Sequence, residues 1–390
     1  MISQRDLAAL RAEWSSGQDV IEKDYVLGWL LSGIAENAEL ANTWVFKGGT
    51  CLRKCYYETY RFSEDLDFTI IEGGPEEPAH LLRIFEDVVA WVREASGIEL
   101  VVDDRSFKRT RNRRGRATTL GKVAYRGPNA NPSMPKVKLD LTSDELLVAP
   151  GVLRPIGHPY RDVLPQARVL SYSIAELFGE KLRALAERCR PRDLYDVVHL
   201  HRHPDLIGRA DPVRHALERK CEHTGIEVPS ADTIRSSPFR AEIEEEWENM
   251  LGHQLPRPLV PFSAFWSALD EVFGWLEGSS PTTQLPRASV GQVSTWEAPQ
   301  GIASWHQKFP LELLRYAGAN RLKVEIDYRA AQGRQGPRVV EPYSLRRTAD
   351  GLLVLFVVND HGQLRSYRVD HIAGIRPTVS TFTPRFRVEF

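Results

Sequence analysis

Apolar residues recur at helical spacing over residues 5–14 and again over 21–36, where Ile21, Tyr25, Leu27, Trp29 and Leu30 make the stripe. Trp44-Val45-Phe46 reads as a short strand ending at Gly48-Gly49-Thr50, and a helix is expected from Cys51 to about Tyr57. From Asp65 to Ile71 the period becomes two, so Leu66, Phe68 and Ile70 share one face while Asp65, Asp67 and Thr69 share the other. An amphipathic helix over 79–95 turns Leu81, Leu82, Phe85, Val88, Val89 and Val92 inward. Residues 98–145 read as strands joined by a basic loop, and 173 to about 251 as helices. Periodicity then stops. The stretch 278–306, rich in Ser, Thr, Pro and Gly, reads as a linker. A helix from Pro310 to Asn320 and short alternating strands follow. The expected division is therefore residues 1–277 (core about 40–150, helical part about 170–277), the linker, and a small mostly-β module over 307–390.

Composition changes this picture little. The chain has 390 residues, enough for two or three cores. Its hydrophobic content of 42%, charged content of 26% and net charge of −1 are ordinary, so any nucleic-acid affinity has to come from local patches. The longest apolar run, Leu352 to Val358, is far too short to span a bilayer, and the charged start MISQRDLAAL is unlike a signal peptide. A cytoplasmic protein with no membrane partner is expected. Cys51, Cys55, Cys189 and Cys221 lack paired spacing and read as reduced, packed thiols.

The chemistry concentrates around one strand. Asp65 and Asp67 side by side on a strand face repel each other unless a divalent cation lies between them. A strand followed by Gly48-Gly49-Thr50 and a helix offers backbone N–H groups and a hydroxyl for phosphate, and Lys47, Arg53 and Lys54 add positive charge. In Lys136-Val137-Lys138-Leu139-Asp140-Leu141 the polar residues take one face; if that strand pairs beside Asp65 and Asp67, Asp140 becomes a third metal ligand or a general base. Ser173-Ile174-Ala175-Glu176 has the form of a capping box, which starts a helix with Ile174, Leu177, Phe178 and Leu185 on one stripe. Lys181 falls within that stripe, as does Arg188. A buried lysine needs an anion, which is either a structural carboxylate or a triphosphate. Arg192-Asp193-Leu194-Tyr195-Asp196 supplies acids that either position Lys181 or cap a helix. From Arg105 to Arg126 there are many lysines and arginines and no acid, a block suited either to RNA phosphates or to a solvated hairpin tip.

Taken together, these segments resemble the AbiEii toxin family, to which the MenT toxins are related: nucleotidyltransferases of the DNA polymerase β-like fold. The resemblance runs over most of 20–200, through Ile21-Glu22-Lys23-Asp24-Tyr25-Val26-Leu27, Phe46 to Lys54, Arg61 to Phe68, Glu176 to Leu185, and Arg192 to Asp196. It implies that Asp65 and Asp67 hold Mg²⁺ (or Mn²⁺), to which the strand pattern adds Asp140. It also implies that Lys47, Gly48, Gly49, Thr50, Ser63, Lys181 and Arg192 meet the NTP, and that Asp193 or Asp196 supports the site. Relatives act in toxin–antitoxin or phage-defence systems and attach nucleotides to the acceptor end of tRNA. In some, the antitoxin phosphorylates the serine before the acidic pair, here Ser63.

The tail resembles a WYL domain, a small Sm-like β-barrel that senses ligands. The likeness rests on Ile326-Asp327-Tyr328, Arg338 to Pro342 and Arg365 to Ile372. Aliphatic residues around Leu352–Leu355 replace the Trp-Tyr-Leu triplet, and His371 stands where arginine is usual. Arg338, Arg346, Arg365 and Arg368 suit an anionic ligand such as a nucleotide or nucleic acid. The fold class expected is α+β: a polymerase β-like transferase with a helical extension, then a WYL-like barrel. The function expected is NMP transfer from an NTP to RNA, tRNA foremost, by a toxin with a cognate antitoxin. The alternatives are transfer to a protein or small-molecule hydroxyl, and a non-catalytic sensor of nucleic acid or nucleotide.

Overall fold

The computed structural model describes every residue except 58–59, 112–114, 163, 280–284, 289–309, 330–334 and 349. Contacts divide the chain into two units: 1–8 with 17–240, and 9–16 with 241–390. That division falls upstream of residue 277. Most of the expected linker, 278–306, lies outside the described residues. Of its described part, Pro286 accepts a hydrogen bond from the Arg387 N–H and Ala288 is buried, so these residues pack within the second unit.

In chain order the elements up to residue 240 are α1 (Gln4–Trp14), α2 (Gln18–Glu36), β1 (Trp44–Lys47), α3 (Gly48–Cys51), β2 (Asp65–Ile70), α4 (Pro78–Ser96), β3 (Glu99–Val101), β4 (Phe107–Arg111), β5 (Ala117–Arg126), β6 (Lys136–Thr142), β7 (Val152–Pro155), β8 (Arg168–Ser171), α5 (Ile174–Arg188), α6 (Pro191–His201), α7 (Ala210–Thr224) and α8 (Ala231–Arg235). A π-helical turn, Leu52–Tyr56, carries α3 onward. The strands form one mixed sheet in the order β3-β5-β6-β2-β1-β8-β7, with β4 also paired to β5. Strand β2 runs antiparallel to β1 and parallel to β6, in the middle of the sheet.

One face of the sheet carries the core. The rings of Trp44 and Phe46 both contact Phe68, Trp44 reaches Phe85 of α4, and Phe85 meets Phe107 edge to face at 4.8 Å. Helix α4 buries Leu81, Ile84, Phe85, Val88 and Val92; Leu82 and Val89, expected inward, are only half-buried, and Ile84 takes their place. Burying five such side chains stabilises the layer by roughly 1.5–3 kcal/mol each. Ser173 caps α5 by accepting from the Glu176 N–H at 3.2 Å. The capping box is only half made. Glu176 turns instead to the N–H groups of Val148 and Ala149 and to Lys220, because a buried carboxylate is better satisfied there than by one N-cap amide.

The second unit holds α9 (Arg240–Leu251, after its first residue), α10 (Phe262–Ser267), α11 (Leu269–Leu276), α12 (Leu311–Ala319), β9 (Leu322–Arg329), β10 (Gln335–Arg347), β11 (Leu353–Asn359), β12 (Leu364–Arg368) and β13 (Ile372–Thr381). These strands form an antiparallel sheet in the order β12-β11-β10-β9-β13. Among the described residues the sheet is not closed into the barrel expected from the tail. A three-residue turn, Val369–His371, leads from one edge strand to the other, yet no ladder joins β12 to β13. Strand β13 slips register twice against β9 and contains Pro377, which has no N–H to give. Strand β11 buries Leu353 to Val358 without interruption, so aliphatics in place of aromatic residues still make a core. No described helix is long and apolar enough to cross a membrane.

Candidate active site

The register of three strands sets the centre. Asp67 stands opposite Lys47 of β1 on one side and Asp140 of β6 on the other, and Asp65 stands opposite Lys138. The expected neighbouring of β6 and β2 is thus present, and Asp65, Asp67 and Asp140 share a face. Burial pushes the Asp67 carboxyl up to about 6, with Lys47 opposing and the Asp140 and Asp65 charges adding. Like charges directly opposite on neighbouring strands repel, and a cation between them removes the repulsion. One oxygen of Asp65, Oδ1, is buried with no hydrogen-bond partner among the described residues, which fits a metal ligand. Asp140 Oδ1 accepts from Thr118 Oγ1 at 3.1 Å and Thr142 Oγ1 at 3.4 Å, so two hydroxyls fasten it. Among the described residues no group of three Asp, Glu, His or Cys side chains is gathered tightly enough to hold a metal ion.

The turn after β1 needs its glycines. Gly48 has φ +79°, and a Cβ there would run into the Asp67 carboxylate. A Cβ on Gly49 would lie 2.6 Å from Arg61 Nη2 and 3.2 Å from Ser63 Oγ. Bare backbone therefore faces Asp67 at Gly48, and Arg61 and Ser63 at Gly49. Thr50 is fully buried and its hydroxyl donates to the Asp65 carbonyl at 2.5 Å, so it pins the turn to β2 rather than offering a free hydroxyl. Lys47 pairs with Glu145. Burial works to lower the Lys47 ammonium, but Glu145 and Asp67 override it and hold the group above its ordinary value. Burial works to raise Glu145, but Lys47, Lys220 and the Thr69 hydroxyl hold it down to about 2. Sequence reasoning missed Glu145; its only signal was an acidic pair, Asp144-Glu145, just past a strand.

Arg53 and Lys54 turn to a buried carboxylate. Arg53 Nε and Lys54 Nζ reach the two oxygens of Asp24 at 2.6 and 2.8 Å, and Tyr160 Oη donates to the same carboxylate. Asp24 is fully buried, and these cations outweigh burial to hold it well below the usual carboxylate range. Two of the sequence motifs, one on α2 and one after Gly48-Gly49, are thus the halves of one buried ion cluster.

A second cluster answers what Lys181 meets. Its Nζ lies 2.6 Å from Asp196 Oδ2 and 3.6 Å from Asp193 Oδ1. Arg61 holds Asp196 with two bonds of 2.7 Å, and Tyr60 Oη donates to it at 2.6 Å. Arg188 grips Asp193 with bonds of 2.7 and 2.8 Å. Both acids therefore touch Lys181, Asp196 more closely. Arg192 differs: its Nε is buried with no hydrogen-bond partner among the described residues. Burial and the nearby Arg61 charge lower it, opposed by Glu64 and Asp65.

Four of the nine basic residues in the block are ion-paired among the described residues. Arg105 pairs with Asp103, Arg109 with Glu76 and Glu77, Arg116 with Asp144, and Arg126 with Glu99. Arg113 and Arg114 lie outside the described residues. Beside Asp140 is a cleft of about 380 Å³, lined in part by Arg116, Thr142, Glu145, Arg188, Lys220 and His223. In the second unit Arg338 sits over the rings of Tyr328 and Tyr367, at 5.3 and 5.4 Å, and donates to Tyr367 Oη. Arg368 is paired with Asp370, Arg365 donates to Gln363, and Arg346 is buried against Glu389.

No curated protein matches the chain. MenT4, a nucleotidyltransferase toxin of Mycobacterium tuberculosis, has a similar structure: 23% identity over 70% of this chain and 87% of that one, TM-score 0.46. Proteasome accessory factor B/C of Arthrobacter aurescens aligns at 12% identity over 94% of this chain and 73% of its own, TM-score 0.19. Residues 311–377 match the WYL domain. The model of the nucleotidyltransferase AbiEii toxin of type IV toxin–antitoxin systems matches residues 29–271, from within α2 to the start of α11. That span takes in every strand of the first sheet and more than half of the chain, and the protein belongs to the AbiEii nucleotidyltransferase toxin family.

Proposed function

We propose that this nucleotidyltransferase moves NMP from an NTP to an RNA hydroxyl, the acceptor end of tRNA foremost, with Asp65 and Asp67 holding Mg²⁺ or Mn²⁺. The observation that carries the reading is Asp67 opposite Asp140, next to an unsatisfied Asp65 oxygen and bare Gly48-Gly49 backbone. A divalent cation bound there supplies charge neutralisation at the triphosphate and the leaving pyrophosphate. Asp140 takes the proton of the attacking hydroxyl. Gly48 and Gly49 admit the triphosphate without steric conflict, and Lys47 and Arg192 flank it. Thr50 shapes the turn, and Lys181, steadied by Asp196 and Asp193, contributes charge at its edge. Phosphorylation of Ser63, which adjoins Gly49, sets a dianion against that turn and blocks the triphosphate, giving the antitoxin its means of control. We assign 1–277 to transfer and 307–390 to sensing an anionic ligand through Arg338, with Arg365 and Arg368 at its rim. The reaction is cytoplasmic, where NTPs and tRNA are found.

The test is incubation with each labelled NTP, Mg²⁺ and total RNA. Label is expected in RNA, from one or two NTPs, and lost with Asp65→Ala or on chelation. Label entering protein and no RNA would overturn the acceptor assignment.

A further inference from the structure

Which surface carries the acceptor follows from strand register. Lys108 of β4 lies opposite Leu120 of β5, Leu120 opposite Asp140 of β6, and Asp140 opposite Asp67. In the next row Lys122 lies opposite Lys138, and Lys138 opposite Asp65. In the row after that, Lys136 lies opposite Ala124. Residues directly opposite share a face, so Lys108, Lys122, Lys136 and Lys138 stand on the same face as the carboxylates. All four are exposed. Among the described residues none of them enters an ion pair, whereas Arg105, Arg109, Arg116 and Arg126 of the same region all do.

We infer that the sugar–phosphate backbone of the acceptor crosses this open face over Lys138, Lys122, Lys136 and Lys108, with its terminal hydroxyl at Asp67 and Asp140. This rests on the RNA-acceptor reading above. Two like-charged cross-strand pairs lie side by side on β6: Asp140 with Asp67, and Lys138 with Lys122. Each is repulsive as it stands. The first pair is relieved by a cation, the second by an anion, and a nucleic acid whose end meets a metal ion supplies that anion in the right place. Strands lie about 4.8 Å apart and alternate residues about 6.6 Å along a strand. The lysines therefore form a grid on the scale of successive phosphates, beginning one strand from Asp65. In the other direction along the strands the same face is buried at Thr118 and Thr142 and leads to the 380 Å³ cleft.

The experiment replaces Lys108, Lys122, Lys136 and Lys138 together with Gln in the full chain and measures transfer to RNA across a salt series. Neutral replacements on exposed positions leave the fold in place, which thermal unfolding checks. The RNA KM is expected to rise at least about tenfold at low salt, and the slope of log KM against log salt to fall by about 3, at about 0.7 per lost phosphate contact. An Arg105→Gln, Arg109→Gln double variant should keep the wild-type slope. Unchanged KM and slope in the lysine variant, with wild-type transfer to RNA intact, overturn the inference. Wild-type protein that labels no RNA overturns the reading beneath it, and this path with it.

Discussion

Asp67 faces Asp140 across two parallel strands with Lys47 at its back, and burial there lifts its carboxyl to about 6. A carboxyl raised in the fold stabilises it only while protonated: the contribution is full below the unfolded value near 4 and is lost as pH rises through about 6. Without metal at pH 8, Asp67 is therefore a liability. Asp67→Asn should be more stable than wild type by about 1–2 kcal/mol in urea unfolding with chelator at pH 8, and the difference should vanish by about pH 4. The same variant should lose transfer. Equal stability at both pH values would mean that the carboxylate is not strained.

Lys181 and Arg61 share Asp196 unequally, and this separates function from folding. Removing Lys181 leaves Asp196 with a two-bond arginine and a phenol, so Lys181→Met should fold normally. NTP use should fall by about 10² or more, with KM for NTP moving most. Asp196→Asn leaves two buried cations facing an amide and should cost about 3–5 kcal/mol. Thermal unfolding of both variants decides the matter: a Lys181→Met protein that melts as early as Asp196→Asn would make the lysine purely structural.

Gly48 and Gly73 both have positive φ, but only Gly48 has a neighbour, Asp67, where a side chain would go. Alanine at either position should cost about 1 kcal/mol of strain. Gly48→Ala should also abolish transfer, because the methyl displaces Asp67. Gly73→Ala should retain full activity. Comparing activity at matched folded fraction checks this.

Much of this site was legible because period-two alternation fixes faces: Asp65, Asp67 and Asp140 follow from strand pattern alone once β2 and β6 pair. Lys181 was legible as a polar residue in an apolar stripe. Its partners were not, since Arg61 and Asp196 are 135 residues apart and nothing local joins them. Arg53 and Lys54 misled for the same reason: their anion, Asp24, lies on α2 and looks like an ordinary helix-surface acid. Nothing local in the sequence shows that the Thr50 hydroxyl, beside two glycines, donates to the Asp65 carbonyl. Closure of the C-terminal sheet depends on hydrogen bonding between two edge strands, which alternation does not encode and which the described residues do not show.

The arginines of the C-terminal sheet were alike in sequence and differ in structure. Arg368 is already neutralised by Asp370, and Arg346 is buried with Glu389. Arg338 has two tyrosine rings beneath it and, among the described residues, no carboxylate partner and a hydrogen bond to a phenol, so its charge is available. Tyr328 and Tyr367, 4.5 Å apart between ring centres, add flat surface on which a base can stack. Arg338→Ala should therefore weaken binding of a short labelled single strand by about tenfold or more, and Arg368→Ala by less than about twofold. Anisotropy titrations should use full-length protein carrying the four lysine-to-glutamine changes, so that binding on the first sheet does not contribute. Equal losses from the two arginine variants would show instead that the face acts by general charge, without a built pocket at Arg338.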